Sequence, residues 1–178
     1  MQTNSTMDPL AHESLFVGFD PGLDIVGFAV MQATNDAPVI LEAGVIRTQA
    51  GELPQRLLQI HSQVLQLLQQ YQPRAVAIEE LYSHYAHPRT AILMGHARGV
   101  ILLASQLCQV ATHSYAATQI KKTLTGHGQA PKEQMQHAIQ REFNLPQLPE
   151  PPDVADALAV ALCHYYTHRP HWKDALVG

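Results

Sequence analysis

Cysteine is scarce in this chain: its 178 residues contain only Cys108 and Cys163, both in apolar surroundings, with no Cys-x-x-Cys pair. That excludes a disulfide-stapled scaffold and a cysteine-ligated zinc ribbon, and it fits a reduced compartment. The N-terminus lacks the apolar core of a secretory signal, and no uninterrupted apolar run approaches the roughly 20 residues needed to cross a bilayer. A soluble, cytoplasmic protein without a membrane partner is expected. Length is limiting too, since 178 residues with 46% hydrophobic content supply one well-buried domain and fall short of two.

Charge is also sparse, at 15% of residues with a net charge of −4, and that total does not advertise a nucleic-acid binder. The distribution says more. Up to residue 88 three arginines face nine acids, and beyond it eight Lys and Arg face six acids. Between residues 89 and 132 carboxylates are missing altogether, while Arg89, Arg98, Lys121, Lys122 and Lys132 all fall there. This window predicts a basic face.

The organising stretch is LFVGFDPGLDIVGFAV at 15–30, which reads as two strands around the Pro21-Gly22 turn. After Asn35-Asp36, residues 39–47 read as a third strand, and three consecutive strands with short links predict an antiparallel meander. Leu53, Leu57, Ile60, Val64 and Leu67 then fall at alternating four- and three-residue spacing, an amphipathic helix ending near Tyr71. Pro73 stops it. Residues 75–78 (AVAI) are a short apolar strand of the kind buried in a sheet covered on both faces. A loop rich in Tyr and His follows, and Pro88 with Thr90 opens a helix to about 106. Gly95 and Gly99 lie inside that helix at a cost of about 1 kcal/mol each relative to Ala, so a close neighbour, another helix or a partner subunit, is expected there. A fifth strand is predicted at 109–115, helices at 118–124 and 131–143, a proline-rich connector at 145–152 and a last helix at 153–168. The expected domain spans 14–170, after a disordered leader at 1–13 and before a tail at 171–178.

Four acids stand out. Asp20 closes an otherwise apolar strand, where a carboxylate is costly to desolvate unless a cation meets it, although Asp also opens turns readily. Glu79 closes the AVAI strand. Asp153 and Asp156, three apart, share one face of a helix's first turn, where capping alone would also favour them. Strand ends of neighbouring central strands can bring such groups together. Converging acids without matching bases repel, and divalent cations relieve this; two ions roughly 4 Å apart would activate a water and stabilise the leaving oxygen of a phosphodiester.

The segments FVGFDPGLDIVGFAV, AVAIEELY, GHARGVILLA, YAATQIKKTLTGHGQAPKEQMQ and PPDVADALAVALCH together resemble the bacterial Holliday junction resolvases of the RuvC family, from about Leu15 to His168. The resemblance implies an RNase H-like α/β fold with a mixed five-stranded sheet, three antiparallel strands plus two parallel, flanked by helices. It further implies a homodimer that nicks four-way junction DNA with Mg²⁺, or Mn²⁺ in its place, two ions per site, alongside the RuvA-RuvB branch-migration machine. The family's catalytic, metal-holding carboxylates fall on Asp20, Glu79, Asp153 and Asp156. Glu80 is their neighbour and is left out of the ligand set. The family's junction-facing aromatic falls on Tyr82, whose ring could stack on an unpaired base. Its DNA-facing lysines fall on Lys121 and Lys132, inside the acid-free window that also holds Arg89, and its dimer contact falls on the helix of Gly95 and Gly99. The chain departs from the family at 83–88 (SHYAHP), in place of a basic, Asn-containing loop one residue shorter. His84 and His87 in that loop have no third ligand and are not read as a zinc pair.

Three rivals are weaker. The RuvX-like RNase H relative shares the Asp-Pro-Gly turn but would not carry YAATQIKK and GHARG. An actin-like or sugar-kinase ATPase needs two such domains, more than 178 residues supply. A junction-binding protein without catalysis would lack a carboxylate, and none is missing.

Overall fold

The computed structural model describes residues 14–34, 36–81 and 88–176, with side chains through Arg169. Strands β1 (Leu15–Asp20), β2 (Ile25–Gln32) and β3 (Val39–Arg47) are followed by helix α1 (Leu53–Tyr71), β4 (Ala75–Glu79), α2 (Pro88–Leu107), β5 (Ala111–Tyr115), α3 (Ala117–Thr125), α4 (Lys132–Glu142) and α5 (Pro152–Leu176). The five strands form one sheet in the order β3-β2-β1-β4-β5. The first three pair antiparallel, whereas β4 and β5 run parallel to β1. The expected mixed sheet is therefore present.

Side chains alternate across each strand, and this divides the core in two. Phe16, Ala29, Met31, Ala77 and Tyr115 face α5, α3 and α4. Val17, Phe19, Val30, Val76 and Ile78 face α1 and α2, meeting Ile60, Val64, Ala97 and Ile101. Both faces of β1 and β4 are covered, which is why AVAI is apolar throughout.

Helix α5 is buried almost all round between Val154 and Tyr165, and it lies unusually close to the sheet. A Cβ at Gly18 would sit 2.5 Å from the Ala157 carbonyl oxygen, and one at Gly27 only 2.1 Å from that of Asp153. These two strand glycines, facing Ala157 and Ala161, are what lets the helix backbone down onto β1 and β2. The β1–β2 turn is fixed from the opposite face. Arg56 of α1 donates to the Leu23 carbonyl at 3.1 Å and ion-pairs with Asp24, and Thr48 donates to the same carbonyl at 2.8 Å.

Two boundaries differ from expectation. Gln109 has φ 58°, a left-handed residue that closes the α2–β5 turn, so β5 starts at Ala111. The last helix runs past 168 to Leu176, continuing through Pro170, where the sequence would have placed its end. The expectation that no segment is long and apolar enough to cross a membrane is also corrected, because α2 passes by length and composition with a mean hydropathy of 1.2. It is nevertheless docked, with Ala97, Ile101 and Ala104 buried. Arg98, near its middle, donates to the Glu79 carbonyl and to Ser114.

Candidate active site

Parity and register bring the strand acids together. Phe16, Gly18 and Asp20 alternate onto the α5 face of β1, as Ala75, Ala77 and Glu79 do on β4. Phe19 pairs with Ile78 in parallel register, so Asp20 and Glu79 close adjacent strands at the same level and on the same side. Opposite Asp20, β2 presents Gly27. That bare position admits the Asp153 backbone and lowers the first turn of α5, with Asp153 and Asp156, over the strand ends. Glu80 follows one residue later and is exposed, its backbone N–H spent on the Tyr115 carbonyl at 2.9 Å.

The electrostatics are those of a site short of positive charge. Burial pushes the Asp20 carboxyl up to about 7, and repulsion from Asp156, Glu79 and Asp153 adds to it, with Lys132 opposing. Burial and then Asp156 raise Glu79, against Lys121 and Lys132. Lys132 of α4 donates from Nζ to Asp156 Oδ2 at 2.7 Å. One lysine contact leaves the other acids repelling one another.

A desolvated, all-oxygen donor set that raises its own pKa fits hard divalent cations such as Mg²⁺, which prefer carboxylates and tolerate few substitutes. Open clefts flank the acids. One, of about 200 Å³, is lined by Glu79, Asp156, Lys121, Lys132 and the side of α3 at Ile120. The other, of about 380 Å³, lies between the Asp20–Ile25 turn, Asp153 and the start of α2 at Thr90 and Leu93. Cations facing one cleft beside acids facing both can hold a phosphate chain against the carboxylates.

The remaining candidates separate. Arg89 is exposed in the first turn of α2 and Lys122 is exposed on α3, whereas Tyr82, His84 and His87 lie outside the described residues. Gly99 is exposed, and a Cβ there would meet nothing within 4 Å; at Gly95 it would meet only Leu81 Cδ1 at 3.6 Å. Among the described residues, only Leu81 borders the space these glycines leave. Ile92, Leu103 and Leu107, at 61%, 54% and 60% exposure, continue the same stripe at helical spacing. Sequence reasoning missed two features. Arg98, one of five cations in the basic window, is a brace on the Glu79 backbone. His113, His164 and His168 form a group outside the acid site, of which only the four-residue spacing on the last helix was visible.

The family model for crossover junction endodeoxyribonuclease RuvC matches residues 16–164. A protein of that name from Rhodopirellula baltica is 45% identical over 159 residues, covering 88% of this chain and 89% of the relative. One from Alkaliphilus metalliredigens is 39% identical over 161 residues, covering 90% and 96%. Among solved structures, Thermus thermophilus RuvC superposes with a TM-score of 0.79 at 32% identity, over 88% of this chain and 96% of that one. The same protein in complex with a Holliday junction substrate gives 0.82 at 31%, over 90% and 98%. The yeast mitochondrial resolvase Ydc2, at 12% identity and a TM-score of 0.62, shares the fold alone. The mixed sheet, the strand-end acids and these matches have one reading: the fold is RNase H-like, and the chain belongs to the RuvC family of crossover junction endodeoxyribonucleases.

Proposed function

We propose that this protein resolves Holliday junctions in recombination and repair by paired symmetric nicks, with Asp20, Glu79, Asp153 and Asp156 as its catalytic, metal-holding carboxylates. The observation that carries the residue assignment is the meeting of two strand-end acids and a helix first turn at the bare position of Gly27. Two Mg²⁺ ions, with Mn²⁺ as substitute, would supply water activation and stabilisation of the leaving oxygen there. The chain's own residues do the rest. Asp20 and Glu79 approach from the sheet and Asp153 and Asp156 from α5, so the phosphodiester is held between rigid elements. Lys121 and Lys132 orient the phosphates in the adjoining cleft, and Arg89 extends the basic surface toward α2. Tyr82 stacks on an unpaired base at the crossover.

The catalytic domain is residues 14–170. It works as a two-fold homodimer, because paired nicks on opposed strands of a junction with two-fold symmetry require two sites. The exposed stripe of α2 around Gly95 and Gly99 supports this contact. In the cytoplasm RuvA-RuvB is the partner that delivers the junction. The test is a synthetic four-way junction incubated with the protein and Mg²⁺ or Mn²⁺, with nick mapping. Symmetric paired nicks are expected from the wild type and none from Asp153→Asn, which should still fold and bind, because Asn keeps the shape of Asp in the first turn of α5 but is a poor Mg²⁺ ligand. Full activity in Asp153→Asn would remove Asp153 from the site.

A further inference from the structure

We propose that His113, His164 and His168 form a second cation site, for a transition metal of the Zn²⁺ class, which pins strand β5 to helix α5. The three come from two elements that pack face to face. Alternation on β5 turns His113 to the same side as Tyr115, toward α5, and His164 and His168 stand one turn apart on that helix. Each offers a ring nitrogen, and the three nitrogens lie within 4.8 Å of one another. Ring centroids are separated by 4.8 Å for His113–His164, 4.9 Å for His113–His168 and 4.4 Å for His164–His168. A tetrahedral centre with metal–nitrogen bonds of about 2.0–2.1 Å needs nitrogens about 3.3 Å apart and centroids about 5 Å apart. The rings are already at that spacing, and small side-chain rotations complete the convergence.

Oxygen atoms flank two of the three rings. His168 Nδ1 lies 3.1 Å from the His164 carbonyl, which can only accept, and His164 Nδ1 lies 2.7 Å from the Tyr115 hydroxyl. Donation from His168 Nδ1–H to that carbonyl leaves its lone pair on Nε2, the arrangement by which outer partners orient metal-bound imidazoles. Burial holds Tyr115 in its neutral form, well above the usual phenol range, so its hydroxyl can donate to or accept from the His164 ring. Burial favours the neutral form of His164 and His113, as ligation demands. His164, 1% exposed, is pushed down to about 3 by burial and then by its two histidine neighbours, and His113 is lowered by burial and His168.

Ligand chemistry separates this site from the acids. Three imidazoles without a carboxylate suit Zn²⁺, Co²⁺, Ni²⁺ or Cu²⁺ and reject Mg²⁺, whereas the carboxylate cluster favours the hard ion. His164 lies eight residues beyond Asp156, about 12 Å along the helix, so the two sites fill independently. The bound cation would act as a clamp, with water as fourth ligand. It would fix α5, which begins with Asp153 and Asp156, against the strand whose Tyr115 is in register with Glu79.

The experiment is a titration of chelator-treated, full-length protein with Co²⁺ in excess Mg²⁺, followed by visible absorption and then by Zn²⁺ displacement. One equivalent per chain is expected, with the strong visible bands of a low-coordinate nitrogen site, lost on adding one equivalent of Zn²⁺. His113→Phe keeps an aromatic ring in the stack and should lower affinity at least tenfold while the circular dichroism stays native; His168→Ala should do the same. Asp20→Asn should leave the bands intact. Absence of the bands, their survival in folded His113→Phe and His168→Ala, or their loss in Asp20→Asn alone would each overturn the proposal, leaving a neutral histidine stack.

Discussion

Replacing Gly27 with alanine tests whether the close approach of α5 to the sheet sets the carboxylate geometry. The new methyl carbon would stand 2.1 Å from the Asp153 carbonyl oxygen, 2.8 Å from its carbonyl carbon and 3.3 Å from Ala157 Cβ. Contacts below about 3 Å do not persist, so helix and strand must part by roughly 1 Å at this point. Strand β2 is held between β1 and β3, and the first turn of α5 has more freedom to yield. The displacement falls on Asp153 itself. Overpacking of this kind costs about 1–3 kcal/mol, which for a chain of this size lowers the melting temperature by about 2–4 °C per kcal/mol. A misplacement of about 1 Å at a reacting centre costs about a hundredfold in rate. Single-turnover nicking of a four-way junction at saturating Mg²⁺ should therefore fall about a hundredfold, while junction affinity in metal-free buffer changes less than tenfold. Gly44→Ala is the control, because its Cβ would meet only the Phe28 ring edge at 3.2 Å, and its nicking rate should stay near wild type. A Gly27→Ala protein that cuts and melts like the wild type would refute the argument that this glycine seats the helix.

Further outcomes follow from the electrostatics and the exposed stripe. Asp20 has a folded pKa of about 7 against an ordinary 3.8, so the folded state binds the extra proton and metal-free stability falls as pH rises through that window, by up to about 4 kcal/mol. Asp20→Asn should flatten this pH dependence in thermal melts and abolish nicking while leaving junction binding equal or stronger; an unchanged slope would show that Asp20 is not the group under strain. Lys121→Ala should weaken junction binding and reduce the slope of log affinity against log salt by about one counterion, and an unaltered slope would make Lys121 ordinary surface charge. Replacing Gly95 and Gly99 together with Leu should yield folded monomers that bind junctions poorly, since a Cβ at Gly99 meets nothing within 4 Å among the described residues; a wild-type protein sedimenting as a monomer at micromolar concentration would count against the interface.

The strands, the helices and their order were legible because each has a distinct period, and Asp20 and Glu79 were conspicuous as charges closing apolar strands. Asp153 and Asp156 were less so, since a helix start welcomes acids for its own sake. Gly18 and Gly27 read as members of apolar strands, and their use against α5 depends on a contact between chain ends that no local pattern encodes. The same holds for Arg98, whose guanidinium serves the Glu79 backbone rather than a basic surface. The histidine group was hidden for a further reason: His113 lies far from His164 and His168 in sequence, and only the sheet brings β5 under α5.

The contact between the first strand and the last helix bears on how the protein is made. Asp20 and Glu79 leave the ribosome early, in strands that can pair as soon as β4 is out, but Asp153 and Asp156 belong to α5, which emerges some seventy residues after β4. A nascent chain thus carries half of its acids and has an uncovered sheet face where α5 will lie. Such long-range contacts form late and slowly, so the four acids come together only after α5 has emerged and docked on β1 and β2.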